Sequence, residues 1–384
     1  MKFEFATAQR IVFGAGTFDG VAPMAAEMGR RVFVVTDPHV PAAGRLVEQL
    51  AARGLAIETT DATGEPTVAS VTAAIGQARA TNCEVVIGLG GGSAIDTAKA
   101  VAALLAHPGS PLDYMEVVGA GKPLTRPSAP LIAIPTTAGT GAEVTRNAVI
   151  GSPDHGVKAS MRGPTLLPRV AIVDPVLTHS APPAVTASTG LDALTQVIEP
   201  FVSNAANPMT DALCREGMTR AARSLRRAYE NSADAAARED MALASLFGGM
   251  ALANAKLGAV HGFAAVLGGM LHAPHGALCA VLLPAVMEAN IRALRERDPQ
   301  SPALDRYEEV ARRLTGQPIA CAAEGADWVR DLCCALQIPP LSGYGLTPGD
   351  LPPVAAQSRK ASSMKGNPIA LTEEELIGIL MSSL

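Results

Sequence analysis

The sequence predicts two dissimilar halves, an α/β half built on a parallel sheet and then an all-α half. Three observations carry this. Up to about residue 173, short β-branched runs alternate with helix-like stretches. Beyond about residue 183, long Ala/Leu/Met/Glu-rich segments with helical periodicity take over. Between the two, Asp174-Pro175 and Ala181-Pro182-Pro183 punctuate the chain, and consecutive prolines continue neither a strand nor a helix interior. Alternating strand and helix implies a parallel sheet covered on both faces. A chain of 384 residues has length for two domains with sizeable cores, expected at 1–183 and 184–384.

Taken in order, residues 31–36 (RVFVVT) read as a strand and 40–53 as a helix; 55–59 repeats the strand signal and 68–80 the helical one. Residues 83–89 (CEVVIGL) form a compact apolar run followed by a helix over 93–105, and 131–134 and 170–173 add two further strands. In the second half the helical segments are 184–203, 207–229, 233–256, 260–272, 276–295 and 302–336, assigned from their apolar periodicity.

Hydrophobic residues make up 48% of the chain and charged ones 17%, a globular composition. Aromatics are only 3% and the net charge is −5, so stacking platforms and a basic stripe for nucleic acid are both lacking. Arg220, Arg223, Arg226 and Arg227 fit a solvated helix face better than a phosphate patch. The six cysteines include no CxxC pair, which suggests neither a zinc knuckle nor a disulfide framework. Apolar stretches are broken by Gly, Pro or charge before the roughly 18 residues a membrane span needs. The opening Met1-Lys2-Phe3-Glu4-Phe5 carries an acid and no long apolar run, unlike a signal peptide. A cytoplasmic protein without membrane or nucleic-acid partners is expected.

Gly90-Gly91-Gly92-Ser93 follows the 83–89 strand and opens the helix containing Asp96 and Lys99. A glycine-rich turn at a helix N-terminus suits a pyrophosphate: backbone N–H groups point outward, the helix dipole favours anions, and missing side chains permit close approach. Without a ligand the same turn is a tight βα connection, with Ser93 as a possible N-cap. The stretch Phe13-Gly14-Ala15-Gly16-Thr17-Phe18-Asp19-Gly20 approaches GxGxxG but has its third glycine one place late, as in an ordinary turn. Asp37, at the end of the 31–36 strand, is positioned to accept ribose hydroxyls and to repel a 2′-phosphate, which favours NAD over NADP; alternatively Asp37-Pro38 starts a turn. Residues 135–143 (PTTAGTGAE) put three hydroxyls and two glycines in one loop, donors for phosphate and nicotinamide ribose. The first half is therefore expected to be a Rossmann-like dinucleotide-binding domain.

GGGSAIDTAKA (90–100), PTTAGTGAEVT (135–145), GLDALTQVIE (190–199), and VHG and PHG at 260–262 and 274–276 together resemble the iron-containing (group III) alcohol dehydrogenases. The resemblance runs from FGAGT at 13–17 to GNP at 366–368. It implies a dehydroquinate-synthase-like architecture, with NAD along Asp37, Gly91, Gly92, Ser93, Asp96, Thr136, Thr137, Thr140, Lys158 and Leu177. It also implies a divalent metal, Fe²⁺ or Zn²⁺, at Asp192, Gln196, His261 and His275, and a homodimer or higher homo-oligomer.

Two departures from that pattern stand out. Gln196 occupies a position where the family has His, and an amide oxygen suits hard ions better than transition metals. Ala265 stands where many relatives carry a proton-relaying His, which leaves His272 and His261 as the expected catalytic imidazoles. Val266-Leu267-Gly268-Gly269 is locally similar to maleylacetate reductases. The expected function is hydride transfer between NAD(H) and a small alcohol, aldehyde or ketone, assisted by metal. The alternatives are a metal-independent reductase of an oxo or unsaturated acid, a dehydroquinate-synthase-like lyase, and an NAD-binding protein without catalysis.

Overall fold

The computed structural model describes every residue but Met1 and His272. Two compact units emerge: Ala6–Thr137 with Gly141–Ala181, and Pro182–Leu384 with Ala138–Thr140 and the N-terminal residues up to Phe5.

The first unit contains β1 (Arg10–Phe13), α1 (Val21–Met28), β2 (Arg31–Thr36), α2 (Ala42–Ala51), β3 (Ala56–Asp61), α3 (Val68–Ala80), β4 (Val85–Gly90), α4 (Gly92–Ala106), α5 (Pro111–Tyr114), β5 (Leu131–Pro135), β6 (Asn147–Ser152), β7 (Val157–Arg162) and β8 (Val170–Val173). Six strands form one sheet in the order β1-β8-β5-β4-β2-β3, and every pairing is parallel. The central strands β4, β5 and β8 are buried along their whole length, as a parallel sheet covered on both faces demands, whereas β3 at the edge is only partly covered. One apolar layer joins α3 and α4 to the sheet and the other joins α1 and α2. Besides the short helices α1 and α5, two strand features were not legible in sequence. β1 is only four residues long and is completed by pairing with the distant β8. The antiparallel pair β6–β7 alternates too weakly in hydrophobicity to stand out.

The second unit holds α6 (Pro183–Val202), α7 (Pro208–Glu230), α8 (Ala235–Ala255), α9 (Ala259–Met270), α10 (His275–Arg297), α11 (Pro302–Thr315), α12 (Ala322–Ala335), α13 (Leu351–Ser358) and α14 (Glu373–Ser382). The helix expected over 302–336 is two helices. Gly316 at φ +70 ends α11 in a left-handed C-cap, the conformation glycine takes at least cost, and Pro318 follows. The arginines of α7 are held by acids: Arg220 and Arg223 reach Asp240, Arg226 reaches Glu230, and Arg227 reaches Asp234. α10 is long and apolar enough to cross a membrane by composition, but 83% of its apolar window is buried inside the protein. It serves as a core helix beside α6 and α12.

Candidate functional site

The glycine turn forms where β4 runs directly into α4. Gly90 has φ +155, and a Cβ there would lie 2.8 Å from the Ala94 Cβ, so both backbone and space require glycine. Gly91 is the N-cap of α4 and no side chain caps the helix. Ser93 is thus not the N-cap, because the helix has already begun at Gly92. A Cβ on Gly91 would meet only the Thr137 side chain, at 3.6 Å, so Thr137 stands beside the turn. The Thr136 N–H donates to the Gly90 carbonyl at 3.0 Å and ties the two loops together.

Asp37 follows β2, the strand next to β4, and the Asp37 backbone nitrogen lies 3.9 Å from a Cβ built on Gly90. One carboxylate oxygen of Asp37 accepts the His39 N–H at 2.8 Å and pairs with the His39 ring. Asp96 is structurally employed. One oxygen accepts the Val149 N–H at 3.0 Å, fastening β6 to α4, and the other lies 3.7 Å from Lys99 Nζ. Lys158, on β7, pairs with Glu65. Leu177 packs partly buried against the core of the first unit. Thr140 belongs to the other unit, in the segment Ala138–Thr140.

A second cluster lies within the helical unit. Asp192 and Gln196, one turn apart on α6, project from the same face, and both are almost fully buried. α9 supplies His261 near its start, and α10 begins at His275. His261 Nε2 lies 3.4 Å from Asp192 Oδ1, and the two imidazole rings stand 5.4 Å apart, centre to centre. α10 comes this close because residue 276 is glycine: a Cβ there would sit 2.2 Å from the Ser188 carbonyl oxygen on α6. Asp192, His261 and His275 thus meet in space; His272, the other imidazole expected there, lies outside the described residues.

Two residues that sequence reasoning did not select complete the cluster. Cys279 is buried, with Sγ 3.6 Å from His275 Nε2 and 3.9 Å from His261 Nε2. Glu199 accepts the Val260 N–H at 2.7 Å with one oxygen, and its other oxygen lies 2.6 Å from His261 Nδ1. Both left a signal in spacing. Cys279 follows His275 by one helical turn, and Glu199 shares a face with Asp192 and Gln196 at i+7 and i+3.

The charges of the cluster interlock. Burial opposes the Asp192 carboxylate, but a hydrogen bond from His261 and the charges of His275 and His261 outweigh it, so its pKa is lowered. Burial likewise opposes a charged His261, yet Cys279, Asp192 and Glu199 raise it well above the usual imidazole value. Burial would raise Cys279, and the two imidazoles bring it below the ordinary thiol value. Acidic donors thus face a concentration of positive charge among side chains of which Asp192, His261 and Cys279 are buried and His275 partly so.

A metal ion fits this site on two further counts. Gln196 Oε1 is buried without a hydrogen-bond partner, an arrangement that costs about 1–3 kcal/mol, and buried Asp192 Oδ1 is met by His261 Nε2 only at the long separation of 3.4 Å. Ligand atoms of Asp192, His261, His275 and Cys279 also lie within 4.8 Å of one another.

The family model for iron-containing alcohol dehydrogenase matches residues 8–175, and the model for the C-terminal part of the Fe-containing alcohol dehydrogenase family matches residues 186–384. Alcohol dehydrogenase 4 of Saccharomyces cerevisiae (strain YJM789) is 37% identical over 374 residues, covering 96% of this chain and 95% of the relative. The crystal structure of a 1,3-propanediol oxidoreductase superposes with a TM-score of 0.92 at 30% identity, over 100% of both chains. The sulfoacetaldehyde reductase of Bifidobacterium kashiwanohense, solved in complex with NAD+, superposes with a TM-score of 0.87 at 30% identity, over 100% of this chain and 99% of the other. The chain is an alcohol-dehydrogenase-like oxidoreductase acting on alcohols or aldehydes. It belongs to the iron-containing alcohol dehydrogenase family, and this reading holds over that of an oxo-acid or unsaturated-acid reductase.

Proposed function

We propose that the protein interconverts a small alcohol and its aldehyde or ketone, using NAD(H) and a divalent metal held by Asp192, His261 and His275. The observation that carries the metal assignment is the convergence of these three largely buried side chains, with Gln196 Oε1 left without a hydrogen-bond partner beside them. When bound, NAD accepts or returns the hydride and the ion polarises the substrate oxygen as a Lewis acid.

The chain's own residues bind and orient. The uncapped start of α4 offers N–H groups and the positive end of its dipole to the pyrophosphate. Gly91 leaves the surface bare beside the Thr137 hydroxyl, where a side chain would obstruct the phosphates. Asp37 accepts the adenosine ribose hydroxyls and disfavours a 2′-phosphate by charge repulsion, so NAD is the preferred cofactor. In the helical unit Glu199 holds His261 Nδ1, which turns Nε2 toward Asp192 and fixes the ring for ligation. Burial of the cluster keeps bulk water from the reacting centre and strengthens each charge interaction there.

The test is NADH absorbance measured over a panel of small alcohols and aldehydes, before chelation, after chelation, and after addition of Fe²⁺ or Zn²⁺. Turnover lost on chelation and restored by metal is expected. Turnover insensitive to chelation would reject the metal assignment, and absence of turnover under every condition would reject the oxidoreductase reading.

A further inference from the structure

The family pattern supplies a third imidazole where this chain has Gln196, and the structure brings a different donor to the same ions. Cys279 lies one turn beyond His275 on α10 and is fully buried. Its Sγ is 3.6 Å from His275 Nε2 and 3.9 Å from His261 Nε2, and His261 Nε2 is 3.4 Å from Asp192 Oδ1. These separations can be compared with the edges of a tetrahedral site. With Zn–N and Zn–O near 2.0–2.1 Å and Zn–S near 2.3 Å, a tetrahedron places N and O about 3.3–3.4 Å apart and N and S about 3.5–3.6 Å apart. Two of the three separations match those edges and the third exceeds its edge by a few tenths of an ångström.

We infer that Cys279 is a metal ligand, so that the ion of this protein is held by one carboxylate, two imidazoles and one thiolate. The inference rests on the metal-assisted reading above and specifies its donor set. Two independent observations point the same way. Asp192 Oδ1 is buried in the same cluster and met by His261 Nε2 only at 3.4 Å, too long for a good hydrogen bond, and none of the six cysteines forms a disulfide, so the Cys279 thiol is available. Thiolate is a softer donor than the amide oxygen of Gln196, and it selects zinc or cobalt over hard ions such as Mg²⁺. Zinc also accepts a fifth ligand, so four protein donors do not close the centre to a substrate oxygen. On ligation the S–H bond breaks and the proton leaves to solvent as the metal–sulfur bond forms; no oxidant or reductant is involved.

The experiment is zinc X-ray absorption and anaerobic Co²⁺ titration of the full-length protein. Exposed Cys321 and Cys334 are replaced by serine to remove adventitious thiols. The expected result is one sulfur scatterer per zinc at about 2.3 Å and a near-ultraviolet thiolate-to-cobalt band. That band should disappear in Cys279→Ser, with zinc affinity falling at least about tenfold, the lower end of what ligand-shell changes produce. The wild-type zinc spectrum decides the matter even if Cys279→Ser does not fold. Stoichiometric metal with only nitrogen and oxygen scatterers would overturn the thiolate assignment and leave the metal reading standing. Failure of elemental analysis to find any divalent metal bound, iron included, would instead overturn the metal reading and this inference with it.

Discussion

Glu199 and His261 lie side by side in the helical unit, with carboxylate oxygen and Nδ1 2.6 Å apart and both side chains buried. This contact fixes which imidazole nitrogen faces Asp192. Glu199→Gln keeps the shape and removes the charge that makes Nε2 a stronger donor. Metal affinity, measured by competition with a coloured chelator, should fall about 10–100-fold. Glu199→Ala should in addition lower stability by about 1–3 kcal/mol, because the buried Val260 N–H loses its acceptor. Unchanged metal affinity in Glu199→Gln would remove Glu199 from the support of the site.

Gly276 is required where α10 crosses α6. A Cβ there would stand 2.2 Å from the backbone oxygen of Ser188, which cannot rotate away. Gly276→Ala should push His275 from Asp192, lower stability by about 1–3 kcal/mol and abolish stoichiometric metal binding in elemental analysis. Full metal content in this variant would contradict the packing described.

Gln196→His returns an imidazole to the face of α6 that carries Asp192. Imidazole is a better ligand than an amide for Fe²⁺ and Zn²⁺, so iron retention through purification should rise. The expected gain in affinity is about tenfold or more, about 1.4 kcal/mol. An unchanged affinity would show that a side chain at position 196 does not reach the bound ion.

Asp37→Ser retains a side-chain acceptor for the His39 N–H and removes the negative charge. The ratio of kcat/KM for NADP+ to that for NAD+ should rise by about tenfold or more. A fixed ratio would show that Asp37 does not face the adenosine ribose.

Glu143 gives a pH dependence. Burial pushes its carboxyl up to about 7, against the opposing pull of its own backbone N–H and of Lys99, and one carboxylate oxygen has no partner. The folded state therefore binds the proton more tightly than the unfolded state. Its contribution to stability is fully present below about pH 4.5 and is lost as pH rises through about 7, a change of about 3 kcal/mol at most. Glu143→Gln lacks this loss. Its unfolding midpoint relative to the parent should climb between pH 5 and pH 8, and parallel pH profiles of the two proteins would contradict the assignment.

Much of the fold and part of the site could be read without coordinates. Residues 31–36, 83–89, 131–134 and 170–173 announce buried parallel strands because both faces of such strands are covered, so their sequences are apolar over most of their length. The run Gly90-Gly91-Gly92-Ser93 marks the βα turn, and at Gly90 only glycine tolerates the backbone and the close approach found there. Asp192, Gln196, His261 and His275 are legible through motif order, which is how the chain's family membership could be anticipated.

What the linear pattern left open depends on long-range packing. β1 exists only through its pairing with β8, some 160 residues away. The break between α11 and α12 hinges on one left-handed glycine within an otherwise helical pattern. The employment of Asp96 by Val149 and of Lys158 by Glu65 is visible only once β6 and β7 are folded against their neighbours. Cys279 and Glu199 are the clearest cases. Each has helical spacing that puts it on the correct face, but only the crossing of α6, α9 and α10 brings a thiol within 4 Å of two imidazoles and a carboxylate onto His261. Periodicity along a helix specifies which residues share a face; which face meets which is decided by the packing of whole helices, where small residues such as Gly276 let backbones touch.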